Sequence, residues 1–194
     1  MRNSRSIPVH HRAPLLATAA TAVAAATATG WATTAHRLRA RNHELQHAQR
    51  DQVTGLLTRR AWEHTAAVAW SRHDSVVGLA DLDHFKAIND EYGHQAGDAV
   101  LRTVATRLNR ALGGIAVLGR YGGDELVFVT RWAHAHRREL PGVLAAPVRL
   151  GRTELDIGVS LGISSPGHPT PSSAVDDADR AMYQAKHHQR RHAL

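Results

Sequence analysis

The chain has no cysteine in its 194 residues. Disulfides and thiolate zinc sites are thereby excluded, and nothing argues for an oxidising compartment. Aromatic residues are scarce, at 5%. No block of Lys and Arg interleaved with aromatics occurs, so the stacking platform of a nucleic-acid binder is missing. Acids are outnumbered by bases, 17 Asp and Glu against 24 Lys and Arg, which leaves a net charge of +7. Such a surplus suits nucleic acid or an anionic membrane surface. Here Arg is spread along the chain, and charge alone marks no specific nucleic acid. The 15 His residues are scattered as well; His134, His136, His187 and His188 lack metal-ligand spacing on any recognisable scaffold.

What is present is enough apolar sequence, 43%, for one sizeable core. The most informative stretch runs from Arg120 to Val129, where Gly122, Gly123, Asp124 and Glu125 lie between two β-prone runs. Gly-Gly flanked by aromatic and β-branched residues is a hairpin signal, and a glycine tip lets a ligand come close to the backbone. A second run, Val76 to Asp83, reads as a short buried strand ending in Asp81 and Asp83. Residues two apart in a strand share a face, so these carboxylates point the same way. Hard divalent cations take oxygen ligands, and Mg²⁺ in nucleotide sites uses one or two carboxylates plus substrate phosphates. A strand-end Asp beside a hairpin Asp-Glu pair could build such a site. Acids that merely mark where strands meet water would look the same in sequence.

The segments Asp81-Leu82-Asp83-His84-Phe85-Lys86-Ala87-Ile88-Asn89-Asp90, Tyr92-Gly93-His94, Gly97-Asp98 and Arg120-Tyr121-Gly122-Gly123-Asp124-Glu125-Leu126 resemble the GGDEF family of diguanylate cyclases. Asp51 to Arg60 resembles the family's entry motif, Val159 to Ile163 its late strand, and Ala178 to Lys186 its last helix, so the resemblance covers about residues 51–191. It implies that Asp81, the Leu82 carbonyl and Asp124 hold Mg²⁺ or Mn²⁺ with Glu125 close by, and that Asp124 is the base for a ribose 3′-hydroxyl. It implies Asn89, His94 and Asp98 as substrate positions. An amide oxygen or carboxylate accepts from guanine N1–H and N2–H₂, which adenine lacks. Phe85 and Lys86 fall where the chain passes the phosphates, and Lys186 and Arg190 match a phosphate-contacting pair. The implied reaction condenses two GTP into cyclic di-GMP with release of pyrophosphate, and the implied assembly is a homodimer, because each domain of the family binds one GTP.

Four positions depart from the family pattern. Leu126 stands where Phe is usual, and Gln189 where a helix-tail Gly is expected. Gly113 and Ala116 replace the Arg and Asp of the family's product-inhibition site, so no inhibition through that site is expected. These departures keep a second reading open, a catalytically weak or inactive GTP-binding regulatory module.

Residues 1–12 form a basic tail. Residues 13–35 carry no charge and are mostly Ala and Thr, with Leu15, Leu16, Val23 and Trp31. The length suits a bilayer span but the hydrophobicity is marginal, and basic residues on both sides leave its orientation open. A single membrane anchor with the catalytic domain in the cytoplasm is the expected arrangement. A surface-lying helix on a cytoplasmic protein and a cleaved export signal are the alternatives. Residues 36–50, with Leu38 and Leu45 one heptad apart, read as a linker helix into the domain at 51–194.

The domain reads as α/β. Helices are expected near 58–71, 95–112, 131–145 and 172–188, the last capped by Ser172 or Ser173. Strands are expected near 75–82, 115–121, 125–130, 147–150 and 154–163. A mixed central sheet flanked by helices follows, in keeping with the cyclase and polymerase-palm type of fold that the resemblance implies.

Overall fold

Alternation of apolar side chains along β2 (Ser75–Asp83) organises the domain, because both faces of this strand are covered. In the computed structural model, which describes residues 49–135 and 139–192 with side chains in the last helix to His187, β2 lies between two antiparallel neighbours. These are β4 (Glu125–Arg131) and β7 (Gly158–Ile163). Outside β4 come β3 (Ala116–Arg120), antiparallel to it, and the short parallel β1 (Leu57–Thr58), giving a five-stranded mixed sheet of order β1-β3-β4-β2-β7. A separate hairpin pairs β5 (Val148–Leu150) with β6 (Thr153–Leu155).

One sheet face carries Val76, Ala80, Leu82, Leu118, Leu126, Phe128 and Val159. Against it packs α3 (His94–Leu112), whose Val100, Leu101, Val104, Leu108 and Leu112 recur at three- and four-residue steps and so form one stripe. The other face carries Val77, Leu79, Val127 and Val129, covered by Trp62 and Ala66 of α1 (Arg59–Ala69) and by Ala174, Val175, Ala178 and Met182 of α6 (Pro171–His192). Contact between α6 and β7 is made through Gly162: a Cβ there would overlap the Ala178 carbonyl oxygen and the Met182 backbone nitrogen. Only glycine lets the helix backbone lie directly on the strand.

Several elements differ from the sequence expectation. A helix appears at α2 (Phe85–Tyr92), where no element is expected; it meets the core only through the partly buried Phe85 and Ile88, too short a stripe to read as a period. The helix expected over 131–145 is two short ones, α4 (Trp132–Ala135) and α5 (Leu140–Leu144), with 136–138 outside the described residues. The strand expected over 154–163 divides between β6 and β7 at Asp156 and Ile157. Helix α6 starts at Pro171, and its cap is Thr170, whose hydroxyl oxygen accepts the Ser173 N–H at 3.3 Å. Pro is well placed at the first helical position, where no N–H is needed. Gln49 and Arg50, expected to end the linker helix, instead run beside β1, with an antiparallel Arg50–Leu57 bridge. The basic tail, the uncharged stretch at 13–35 and the rest of the linker lie outside the described residues. Among the described residues no helix is long and apolar enough to cross a membrane.

Candidate active site

Sheet register puts Asp81, at the end of β2, opposite Glu125, the first residue of β4, and opposite Ser160 of β7 on its other side. Asp81 is only 8% exposed. Backbone bonds fix the glycine turn beside it: Tyr121 and Gly122 N–H donate to the Glu125 carbonyl at 2.8 and 3.3 Å, and Leu82 N–H donates to the Asp124 carbonyl at 3.2 Å. The turn is also held by side chains. Arg120 donates to the Gly122 and Gly123 carbonyls at 3.2 and 2.5 Å, and its guanidinium meets the Asp51 carboxylate at 3.1 Å. Asp51 in turn accepts the Thr54 N–H at 2.8 Å and the Thr54 hydroxyl at 2.7 Å. The entry motif therefore clamps the hairpin tip. Its Asp-x-x-Thr spacing is a turn signature, but the long-range partner has no local mark in sequence.

The electrostatics of these carboxyl groups diverge. Burial raises Asp51, but the Thr54 hydroxyl and backbone N–H and the Arg120 charge outweigh it and hold the group below its usual value. Glu125 moves upward, through burial first and then the negative charges of Asp81, Asp124 and Asp179, against a smaller opposing effect of Arg59. Crowded acids of this kind are relieved by a cation.

Lys186 supplies positive charge at that point. Its Nζ donates to Asp81 Oδ1 at 2.5 Å across 105 residues of sequence. Its place follows from the Gly162 contact, since Lys186 lies one helical turn beyond the buried Met182. Arg190 falls in α6, with its side chain outside the described residues. Asp83, on the same strand face as Asp81, accepts the Ser160 hydroxyl at 2.8 Å.

On the flank, His84 joins β2 to α2 with a left-handed backbone, φ 56°, and its carbonyl accepts the Ala87 and Ile88 N–H groups. A non-glycine residue held there marks a strained, tightly determined junction. Phe85 packs partly into the core and Lys86 is exposed. Gly93, φ 83°, turns the chain from α2 into α3. The Asn89 side chain lies so close over Gly97 that a Cβ at Gly97 would overlap Asn89 Oδ1. Asn89 is thereby brought beside the start of α3, where exposed His94 and half-buried Asp98 stand four residues apart on one face.

Among the described residues no group of three or more His, Asp or Glu side chains stands close enough to hold a metal by itself. The donors nevertheless fit a Mg²⁺-type ion completed by substrate phosphates. Such an ion needs one or two carboxylates, and Asp81 and Glu125 face one another in register with Asp124 adjoining.

Acids at the end of a sheet, a glycine tip beside them, a helix pair bearing amide and carboxylate groups on one flank and a lysine on the other define an α/β domain suited to a phosphorylated ligand and a cation. Residues 48–192 match the family model described as diguanylate cyclase, GGDEF domain, and the chain belongs to that family of diguanylate cyclases. It is 40% identical over 152 residues to an uncharacterized 19.3 kDa protein of Streptomyces ambofaciens, covering 76% of this chain and 83% of that one. It is 35% identical over 154 residues to the diguanylate cyclase DgcP of Escherichia coli, covering 73% of this chain but 45% of DgcP. The crystal structure of a sensory box/GGDEF family protein from Caulobacter crescentus superposes with a TM-score of 0.65 at 37% identity, over 72% of this chain and 99% of that one.

Proposed function

We propose that the chain condenses two molecules of GTP into cyclic di-GMP, releasing two pyrophosphates, with two copies of the chain each presenting one bound GTP. The observation that carries this reading is the register of Asp81 against Glu125, with the Asp124 carbonyl bonded to the Leu82 N–H. That arrangement sets three carboxylates at one sheet end beside a clamped glycine turn. In this reading Asn89 and Asp98 accept the guanine N–H donors, with His94 beside them. Lys86, Lys186 and Arg190 bring positive charge to the phosphates, and Phe85 supports the chain where it passes them. Asp124 takes the proton from the 3′-oxygen as that oxygen attacks the α-phosphorus of the partner's GTP and pyrophosphate leaves. Asp81, Asp124 and the Leu82 carbonyl, with Glu125 close by, would hold Mg²⁺ or Mn²⁺. When bound, the ion supplies Lewis-acid charge at the attacking and leaving oxygens. Positioning and charge neutralisation do the rest, and no covalent enzyme intermediate is required.

Leu126, one of the departures that motivate a non-catalytic regulatory module, is fully buried on the sheet face opposite Glu125. An apolar exchange at such a position acts on packing and not on the acids, so it lends that module no support. The test is incubation of the purified chain with GTP and Mg²⁺ or Mn²⁺, with separation of products, beside Asp124→Ala. Cyclic di-GMP from the parent and a loss of at least about a hundredfold in the variant are expected, the scale of removing a general base. A parent that binds GTP as a dimer yet yields no product would overturn the enzyme reading in favour of the regulatory module.

A further inference from the structure

The lysine on Asp81 does more than the proposed phosphate contact asks of it. Asp81 is nearly buried, and its Oδ1 is taken by the Lys186 ammonium at 2.5 Å. Glu125, which faces Asp81 in register, feels the negative charges of Asp81, Asp124 and Asp179 and the positive charge of Arg59. A Mg²⁺ or Mn²⁺ ion at about 2.1 Å from the same carboxylate would stand close to that ammonium. Two cations on one carboxylate oxygen repel, so the ion pair and the metal compete for Asp81. The Lys186 side chain is 28% exposed. It is a flexible stem carrying a compact charge, beyond the last residue that anchors α6, and it can leave Asp81 without any movement of the helix. A triphosphate offers it a more highly charged partner.

We infer that Lys186 is an internal stand-in cation. It neutralises Asp81 in the nucleotide-free protein and transfers to the triphosphate when nucleotide enters, so divalent metal binds weakly until nucleotide arrives and the two bind as a coupled pair. The inference rests on the proposed reading of the site as one for GTP and a divalent cation. It assigns Lys186 a role in the free protein that a phosphate ligand alone would not have. Linkage makes the coupling reciprocal: whatever nucleotide does for metal affinity, metal does for nucleotide affinity.

The test is Mn²⁺ binding to the full chain, read from the electron paramagnetic resonance signal of free Mn²⁺. It is made with and without α,β-methylene-GTP, whose bridging carbon prevents turnover. In the parent, nucleotide should tighten Mn²⁺ binding by about tenfold or more beyond the Mn²⁺ that the nucleotide chelates without protein, within the usual range of coupling between sites. Lys186→Met, a good helix former at a partly exposed helix position, should bind Mn²⁺ alone about tenfold more tightly than the parent, and nucleotide should tighten it further by a smaller factor than in the parent. Lys186→Gln, which keeps a polar side chain, should behave in the same way. If both variants bind Mn²⁺ alone no better than the parent, the stand-in role is wrong. Asp81→Asn separates that failure from a failure of the site itself. Loss of Mn²⁺ binding in this variant keeps Asp81 as the ligand under competition, whereas unchanged binding removes the metal site and the inference with it.

Discussion

Asp51 and Glu125 show, at the scale of single residues, how one site mixes groups that stabilise the fold with groups held at its expense. Asp51 has its carboxyl depressed, burial being outweighed by Thr54 and Arg120. Folding therefore favours its charged form. That contribution is present above the usual carboxyl value of 3.8 and is lost as pH falls through the lower folded-state value. Asp51→Asn keeps the shape and an acceptor for Thr54 but loses the Arg120 ion pair. It should cost about 1–2 kcal/mol at neutral pH, the scale of a hydrogen bond to a charged group. The gap between parent and variant in urea unfolding should narrow as pH falls below 3.8 and through the lower folded-state value, where the parent's carboxyl also protonates. A gap of the same size at neutral pH and below that value would mean that the charge of Asp51 does not hold the hairpin. Glu125 has the opposite sign. Its carboxyl is raised by burial and by its acidic neighbours, so its charged form is disfavoured in the folded state, and stability is lost as pH rises above the usual value of 4.5. Crowded acids are poor for stability and suited to a cation.

At the scale of elements, the contact between α6 and β7 places Lys186. Gly162→Ala would drive a Cβ into the Ala178 carbonyl oxygen and the Met182 nitrogen, both backbone atoms that cannot rotate away. Helix and strand must separate. A loss of about 1–3 kcal/mol is expected, with weaker binding of α,β-methylene-GTP because Lys186 rides on the displaced helix. Gly142→Ala is the control, since a Cβ there meets nothing within 4 Å and the residue lies in α5; it should be neutral or stabilising by up to about 1 kcal/mol. Equal effects of the two substitutions on the urea midpoint would mean that the α6 docking is not tight. The elements that sequence revealed are those with a periodic apolar face. Strand β2, the β3–β4 hairpin and helices α1, α3 and α6 all carry one, and Asp81, Asp124 and Glu125 were legible because they break such patterns at strand ends. Helix α2 meets the core only through partly buried Phe85 and Ile88, too few to set a period. The β6–β7 break at Asp156 and Ile157 carries no Gly or Pro of its own. Thr170 was overlooked as a cap because Ser172 and Ser173 lie nearer the apolar stripe. The Lys186–Asp81 and Arg120–Asp51 pairs join segments far apart in sequence, and nothing local at either end names the partner.

At the scale of the whole molecule, the proposed reaction needs two GTP-bearing copies facing one another, while a net charge of +7 makes the copies repel. Two salt effects of opposite direction follow. Screening should favour association of like-charged chains, and it should weaken the attraction of a basic chain for an anionic nucleotide. Specific activity should therefore fall with dilution through the concentration range in which sedimentation shows dimers giving way to monomers, becoming proportional to chain concentration at the dilute end. Over the same range, α,β-methylene-GTP should still bind each chain, because guanine and phosphate contacts are proposed to come from one copy. At low nucleotide, added salt should lower activity; at saturating nucleotide and dilute protein, it should raise activity by restoring dimers. Specific activity that stays flat across the monomer–dimer transition would show that a single chain completes the reaction, and the two-copy mechanism would have to be abandoned even if cyclic di-GMP is the product.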